Sequence, residues 1–147
     1  MATFYGLNAT LRDNSVPSKK IPSTDQGGRV RVAYDEITLA GVALTTDTIK
    51  MMKLPSGARI LNAVLNASAL GAGSLNVGWE NNGIDGAAAA GIFAATAVAA
   101  ASAVSMSSTY SASQFTKFSA ETQISIVPSV NTSAAGTIKL AVTYSLD

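Results

Sequence analysis

The alternation of apolar and polar residues near the C-terminus is the feature that most constrains the fold of this chain. Successive side chains of a β-strand point to opposite faces of a sheet, so such a pattern predicts a strand with one buried side. The same pattern recurs at residues 122–126, and residues 128–136 are predicted to join the two strands as a long hairpin loop. The C-terminal apolar set is Ile138, Leu140, Val142, Tyr144 and Leu146.

Shorter segments with the same period are spread over the rest of the chain. Strands are predicted near residues 48–53, 60–67 and 75–79, each followed by a turn that contains glycine. Between the first two, Pro55 presets one backbone dihedral of a turn and Gly57 permits a positive φ. Several short strands separated by such turns favour an all-β fold.

The first predicted strand begins at Arg29. Val30, Val32 and Tyr34 alternate with Arg29, Arg31 and Ala33, so the apolar three are predicted to form its buried face. After residues 35–36 the apolar positions shift by one residue, which predicts a β-bulge or a strand break at that point.

These elements together predict a two-sheet β-sandwich, jelly-roll-like, over residues 29–147. Residues 1–28 contain charged residues, two prolines and three glycines without a sustained period, and are predicted to be an extended N-terminal arm. Residues 84–104 are rich in alanine, and we expect a short helix or loop insertion there. A membrane span is rejected, because alanine and glycine supply little transfer energy and no Lys or Arg flanks the segment.

The residue types needed for most catalysis are missing. The chain has no histidine and no cysteine, so the usual general base, the thiolate nucleophile and the commonest metal ligands are absent. Ser18 and Lys19 are adjacent only in the predicted arm, and neighbouring Asp35 and Glu36 point to opposite faces of a strand. We therefore expect no enzyme activity and no cofactor.

One segment, residues 80–85, is dense in oxygen ligands. Its carboxylates and amides suit a hard cation such as calcium, but the spacing does not match an EF-hand loop. Asn and Gly also favour ordinary turns, and a turn is the preferred interpretation.

The chain is poor in charge, with 13% Asp, Glu, Lys and Arg and a net charge of +1. An ordinary soluble domain has about 25%, so we expect much of this surface to contact protein rather than water. Few aromatic residues accompany the basic ones, which disfavours nucleic-acid binding. The assembly-contact candidates are Lys19, Lys20, Arg29, Arg31, Ile92 and Phe93, with core packing as the alternative for the last two.

Three short segments carry a resemblance to a known class. Residues 54–60 (Leu-Pro-Ser-Gly-Ala-Arg-Ile), 70–71 (Leu-Gly) and 75–78 (Leu-Asn-Val-Gly) resemble small virion proteins of tailed phages, most of all capsid decoration (cement) proteins. The resemblance implies a jelly-roll-like module, often a homotrimer, that binds the major capsid protein on the capsid exterior. It implies no active site, nucleic acid or membrane partner. The start of the chain lacks a secretory signal, so synthesis in the host cytoplasm is expected.

A second hypothesis is a phage tail or fibre component that binds a host glycan. Carbohydrate sites expose aromatic side chains. Trp79 belongs to an alternating apolar set and is predicted to lie in the core, whereas Tyr110 and Phe115 lie in irregular polar sequence.

Overall fold

The computed structural model describes residues 29–106 and 113–146, which form eight β-strands and no α-helix. The strands are β1 (Arg29–Leu39), β2 (Ile49–Leu54), β3 (Arg59–Ala67), β4 (Ser74–Trp79), β5 (Ala88–Ala97), β6 (Ser102–Ser105), β7 (Thr122–Val130) and β8 (Gly136–Leu146).

These strands form two antiparallel sheets of four, as the predicted two-sheet sandwich requires. Sheet A has the order β1-β8-β3-β6, and sheet B has the order β2-β7-β4-β5. β8 pairs with β1 on one side and with β3 on the other, while β7 occupies the corresponding inner position of sheet B between β2 and β4. The prediction of an all-β sandwich is confirmed.

The core lies between the inward faces of the two sheets. The alternation predicted for β8 is confirmed, since Ile138, Leu140 and Val142 are fully buried and the intervening residues face outward. From sheet B, Trp79 is buried, as predicted, and meets the edge of Phe118 with ring centroids 5.2 Å apart. An edge-to-face contact of this kind is a favoured aromatic geometry.

A β-bulge in β3 changes which residues of that strand are buried. The register with β8 shifts between Ile60 and Asn62, so Ile60 and Ala63 both point into the core. Simple alternation along residues 60–67 predicts that Ile60 shares a face with Asn62, opposite the buried Ala63. That prediction is wrong, because the extra residue of the bulge reverses the facing of the residues before it. The predicted turn before β3 is confirmed, since Gly57 has a φ of 85° and the Ala58 N–H donates to the Pro55 carbonyl.

The alanine-rich segment forms strands rather than the expected short helix or loop insertion. β5 adds to the edge of sheet B beside β4, and β6 adds to the edge of sheet A beside β3. Ile92, Phe93 and Val98 are buried in the core, so contacts with the sheets override the helix propensity of alanine. The described ranges contain no helix with the length and apolarity that a membrane crossing requires.

The predicted hairpin between the last two strands is also wrong. β7 continues through Pro128 to Val130 and belongs to sheet B, whereas β8 belongs to sheet A. The connection therefore crosses from one sheet to the other. Sequence alternation identifies strands but not the sheet that each one joins.

β1 differs from its prediction in two ways. It runs without a break, pairing eleven consecutive residues with β8 in constant register, so the bulge expected after Asp35 and Glu36 is absent from it. Its apolar residues Val30, Val32 and Tyr34 are 65%, 64% and 58% exposed rather than buried. The residues that face sheet B are the odd-numbered ones, of which Ala33, Ile37 and Leu39 pack against the core.

We predict that a side chain at position 91 destabilises the sandwich. A Cβ on Gly91 would lie 2.3 Å from the Trp79 ring, which is buried and is held by a hydrogen bond from its Nε1 to the Gly86 carbonyl. Because the ring cannot retreat, Gly91→Ala should lower the free energy of unfolding by about 1–3 kcal/mol. Urea denaturation measures the change. Gly41→Ala is the control, since nothing lies within 4 Å of its added Cβ; equal effects of the two substitutions would contradict the prediction.

Candidate assembly surfaces

The oxygen-rich segment at residues 80–85 forms a hydrogen-bonded turn. The Asn82 Oδ1 accepts bonds from the backbone N–H groups of Ile84 and Asp85, at 2.9 and 2.7 Å. The Asn82 Nδ2 donates to the Asp85 Oδ2 at 2.7 Å and to the Thr122 Oγ1 at 2.6 Å. These bonds attach the loop to the start of β7, which is the turn interpretation favoured by the sequence.

The carboxylate of Asp85 is engaged by donors from two segments. Besides the Asn82 amide, the Ser119 N–H donates to the Asp85 Oδ2 at 2.8 Å. The Asn82 hydrogen bond lowers the pKa of Asp85 below its ordinary value, and the Ser119 backbone N–H adds to this effect. Within residues 29–106 and 113–146, no group of three or more Asp, Glu, His or Cys side chains is arranged to hold a metal ion.

The assembly-contact candidates from the sequence fall in three different places. Ile92 and Phe93 are 4% and 6% exposed and pack in this chain's own core, which is the alternative that the sequence left open for them. Arg29 and Arg31 are exposed at the start of β1. Lys19 and Lys20 lie outside the described residues.

The outward face of β1 presents an apolar stripe, which the sequence had assigned to the core. We call Val30, Val32 and Tyr34 the β1 stripe. Across sheet A, Tyr34 lies opposite Ala141 of β8, and Ala141 lies opposite Val64 of β3, which is itself 39% exposed. The apolar surface therefore extends over three strands. Alternation in a sequence does not show which face of an edge strand is buried, because burial depends on the side on which the opposite sheet packs.

A polar group closes one end of the β1 stripe. The Tyr34 hydroxyl donates to the Glu36 Oε2 at 2.6 Å, and the Lys139 Nζ lies 3.4 Å from the same oxygen. The hydrogen bond from Tyr34 lowers the pKa of Glu36, with Lys139 acting in the same direction, and the same bond raises the pKa of Tyr34. These contacts fix the Tyr34 ring on the outer face of the sheet.

A second exposed apolar group lies on two connected loops. Val42 and Leu44 precede β2, Val130 ends β7, and the three side chains are 55%, 46% and 55% exposed. We call these three residues the loop-end patch. The segments are joined by hydrogen bonds, among them Thr132 N–H to the Ala43 carbonyl at 3.0 Å and Ala43 N–H to the Thr132 Oγ1 at 2.8 Å.

The aromatic residues considered for glycan binding do not form a common platform in the described residues. Trp79 is buried. Phe115 is 57% exposed and has a φ of 70°, a conformation that bulky side chains rarely adopt. Its backbone is held by hydrogen bonds to β3, from the Phe115 N–H to the Ile60 carbonyl and from Arg59 Nη1 to the Phe115 carbonyl. Tyr110 lies outside the described residues.

The fold is similar to that of chains in several phage capsids. A chain of the capsid asymmetric unit of cyanophage Pam1 is 28% identical, with a TM-score of 0.67 over 91% of this chain and 97% of that chain. A chain from the capsid of Ralstonia phage GP4 is 24% identical, with a TM-score of 0.60 and coverages of 88% and 92%. A chain from the acid-stable capsid of Helicobacter pylori bacteriophage KHP30 is 16% identical, with a TM-score of 0.51 and coverages of 80% and 87%.

Comparison with protein-family models and with curated proteins finds no match. The likeness to capsid chains extends over most of both chains in each pair. The matches at 24% and 16% identity show a shared fold, and the match at 28% identity supports a structural role in a phage particle.

The loop carboxylate gives a pH-dependent prediction. Because the folded state lowers the pKa of Asp85, its ionised form adds stability above the ordinary pKa near 4, and this contribution is lost as the pH falls through the folded pKa. Asp85→Asn should therefore lower the free energy of unfolding at pH 7, and the gap from wild type should close below about pH 4. Urea denaturation across about pH 2.5–7 tests this. A gap that is the same at both ends of the range contradicts it.

Proposed function

We propose that this chain is a capsid decoration protein, which binds the outside of a phage capsid between capsid subunits and stabilises the shell. The observation that carries the proposal is the match to the Pam1 capsid chain, which covers 91% of this chain and 97% of that one. Since the coverage is high on both sides, the matched capsid chain is also a small protein of similar length. The likeness is therefore between whole chains and not to one part of a larger shell protein.

The surface supports docking against protein. The β1 stripe and the loop-end patch expose six large apolar or aromatic side chains, in a chain with only 13% charged residues. Apolar groups of this kind, when contiguous and rimmed by polar residues, mark interaction sites on soluble proteins. On the outward face of sheet A, Lys139 pairs with Glu36, and the exposed Arg29 and Arg31 of β1 are balanced by Asp35 and Glu36 in the same strand, so no field of one sign would attract a nucleic acid there.

The proposed partners are copies of this chain, as a homotrimer, and the major capsid protein. No cofactor, nucleic acid or membrane is part of the proposal. The trimer and the exterior position rest on the resemblance of residues 54–60, 70–71 and 75–78 to decoration proteins. In this scheme residues 1–28 reach across a neighbouring copy or the shell, and Lys19 and Lys20 dock on an acidic protein surface.

The capsid role is preferred to a tail or fibre role. The similar chains of cyanophage Pam1, Ralstonia phage GP4 and phage KHP30 all come from capsids. The one tryptophan, which would have been the strongest glycan platform, is Trp79 in the core. Phe115 has an exposed ring on the loop before β7. The ring pair found in the described residues, Trp79 with Phe118, lies in the core and offers no platform for a sugar.

We expect the purified protein to bind undecorated capsids and raise their melting temperature, because a ligand that binds only the assembled shell stabilises it. A variant lacking residues 1–28 should bind more weakly, while keeping the sandwich that begins at Arg29. Co-sedimentation measures binding, and differential scanning calorimetry of the capsids measures stabilisation. If neither form binds or shifts the melting temperature, the decoration role is wrong.

A matched pair of lysine variants tests the proposed docking of the arm. Lys19→Glu/Lys20→Glu should weaken capsid binding by about tenfold, with a reduced dependence on salt, because two favourable charge contacts become repulsive. Lys50→Glu/Lys53→Glu changes the net charge equally, at two exposed lysines of β2 that pair with Glu80 and Glu121. Equal weakening by the two variants would show that only net charge matters and would contradict docking through the arm.

A further inference from the structure

The four strands at the sheet edges differ in how they are protected against pairing with another chain. β6 has only four residues. β2 has a register shift between Lys50 and Lys53 and exposes both lysines. β5 shifts register twice against β4 and has a positive φ at Ala95. Short length, lysines and bulges are the devices by which soluble proteins block edge-to-edge pairing.

β1 is neither short nor bulged and carries no lysine, and its own protection consists of four charged residues, Arg29, Arg31, Asp35 and Glu36. It is the longest of the four edge strands, with eleven residues in unbroken register against β8, and it stands at the end of sheet A with β8 as its only strand partner in the described residues. Its outward side chains Val30, Val32 and Tyr34 are apolar or aromatic and exposed. A long, regular edge of this kind is a template for a further strand.

The charges of β1 favour a particular strand as its partner at this edge. Arg29 and Arg31 lie in its first half, and Asp35 and Glu36 lie in its second half. In an antiparallel pair of two β1 strands, the basic half of each faces the acidic half of the other. In a parallel pair, like charges would face each other, which is unfavourable on adjacent strands. The charge pattern is therefore complementary to itself in one orientation.

A register centred on Ala33 pairs opposite charges and overlaps nine described residues of each strand, whereas a register centred on Val32 gives the similar pair Arg29 and Asp35 but overlaps only seven. With Ala33 of one copy opposite Ala33 of the other, Arg31 lies opposite Asp35 of the second copy, twice by symmetry. On the outward face, Val32 then lies opposite Tyr34 of the second copy, which is a β-branched and aromatic pair of the kind that stabilises sheets. This register pairs residues of equal parity, so the backbone groups that point away from β8 meet each other, as an antiparallel ladder requires.

We infer that the edge of β1 binds the β1 edge of a second copy of this chain, antiparallel about a two-fold axis at Ala33, so that two copies of sheet A form one continuous sheet of twice four strands. The contact is isologous, since the same residues serve both copies. The inference adds to the proposed function one surface through which copies associate. Only the role of this contact on a capsid rests on the proposed function. A two-fold contact does not itself close a trimer, so it joins two trimers or two single chains.

A charge-reversal pair tests the inference in solution. Arg31→Asp places a carboxylate opposite Asp35 of the second copy, and Asp35→Arg places a guanidinium opposite Arg31 of the second copy. Each single variant should weaken the two-fold contact about tenfold or more and halve the mass of the assembly. An equimolar mixture of the two should restore the wild-type mass, because each of the two contacts between unlike variants then joins a carboxylate to a guanidinium. The double variant should also associate.

Native mass spectrometry and sedimentation velocity measure the masses, and circular dichroism confirms that each variant is folded. Restoration on mixing supports the pairing, since loss of folding or a general change of charge would not be repaired by a second defective variant. Wild-type mass in both single variants, or masses that stay halved on mixing, overturns it. The first of these results is also expected if residues 1–28 or another protein occupies the β1 edge.

An engineered disulfide tests the register independently. The chain contains no cysteine, so Ala33→Cys introduces a single thiol, and the two Cα atoms at the axis would be about 5 Å apart, within disulfide range. Thr38→Cys is the control, since its two copies would be about 33 Å apart in the same register. Mild oxidation should give a covalent dimer of the first variant only. No dimer of Ala33→Cys, or equal dimer from both variants, overturns the proposed register.

Capsid binding separates this inference from the proposed function. If the Arg31→Asp variant is dissociated in solution but still binds undecorated capsids, the result supports the two-fold contact and is consistent with the decoration role. Wild-type protein that shows the charge rescue but does not bind capsids supports the contact and refutes the decoration role. Wild-type protein that binds capsids but has no charge-dependent association refutes the contact alone.

Discussion

The structure depends on the position of β8 in the middle of sheet A. β8 pairs with β1 over eleven residues and with β3 on its other side, and it buries Ile138, Leu140 and Val142 completely against sheet B. This strand ends the described chain, whereas β1 begins it. Sheet A is therefore completed by contacts between the most distant parts of the described sequence. Bringing β1 and β8 together closes a long loop of chain, which costs conformational entropy and slows folding.

That arrangement also determines what remains exposed. With β8 inside the sheet, β1 is left at the edge, where the odd-numbered side chains lean on the core and the even-numbered ones face outward. The outward face has few charges, and Glu36 is already bound to Lys139 and Tyr34. The other edges are short, bulged or lined with lysine, whereas β1 is long and regular and its charges of both signs are complementary to those of a second, antiparallel copy.

Local sequence was sufficient wherever a residue's burial was set by its immediate neighbours. Alternation identified β4 and β8 with the correct buried faces, and the turn at Gly57 followed from its need for a positive φ. It failed where distant contacts decide. The exposure of Val30 depends on which face of β1 sheet B covers, and the strand conformation around Phe93 depends on β4 lying alongside.

The proposed assembly surface follows only in part from the sequence, for the same reason. Composition indicates a surface that contacts protein, and Arg29 and Arg31 are candidates on that basis. The proposed pairing of Arg31 with Asp35 rests in addition on the uninterrupted ladder with β8, which shows that both residues lie in one regular strand. Ile92 shows the opposite case, since an apolar residue in an uncharged segment is equally suited to a core and to an interface. Only the packing of β5 separates the two.

A two-fold pairing of β1 would set the directions in which residues 1–28 leave the sandwich. In the register centred on Ala33, Arg29 of each copy would lie opposite Ile37 of the other, so the two Arg29 residues would lie about 26 Å apart, at opposite ends of the interface. Because 28 residues span at most about 100 Å when extended, the segments of one pair would contact neighbours on opposite sides. Each pair of copies would in this way be linked to further neighbours at both ends, and a network of copies would form although the chain has few charged residues.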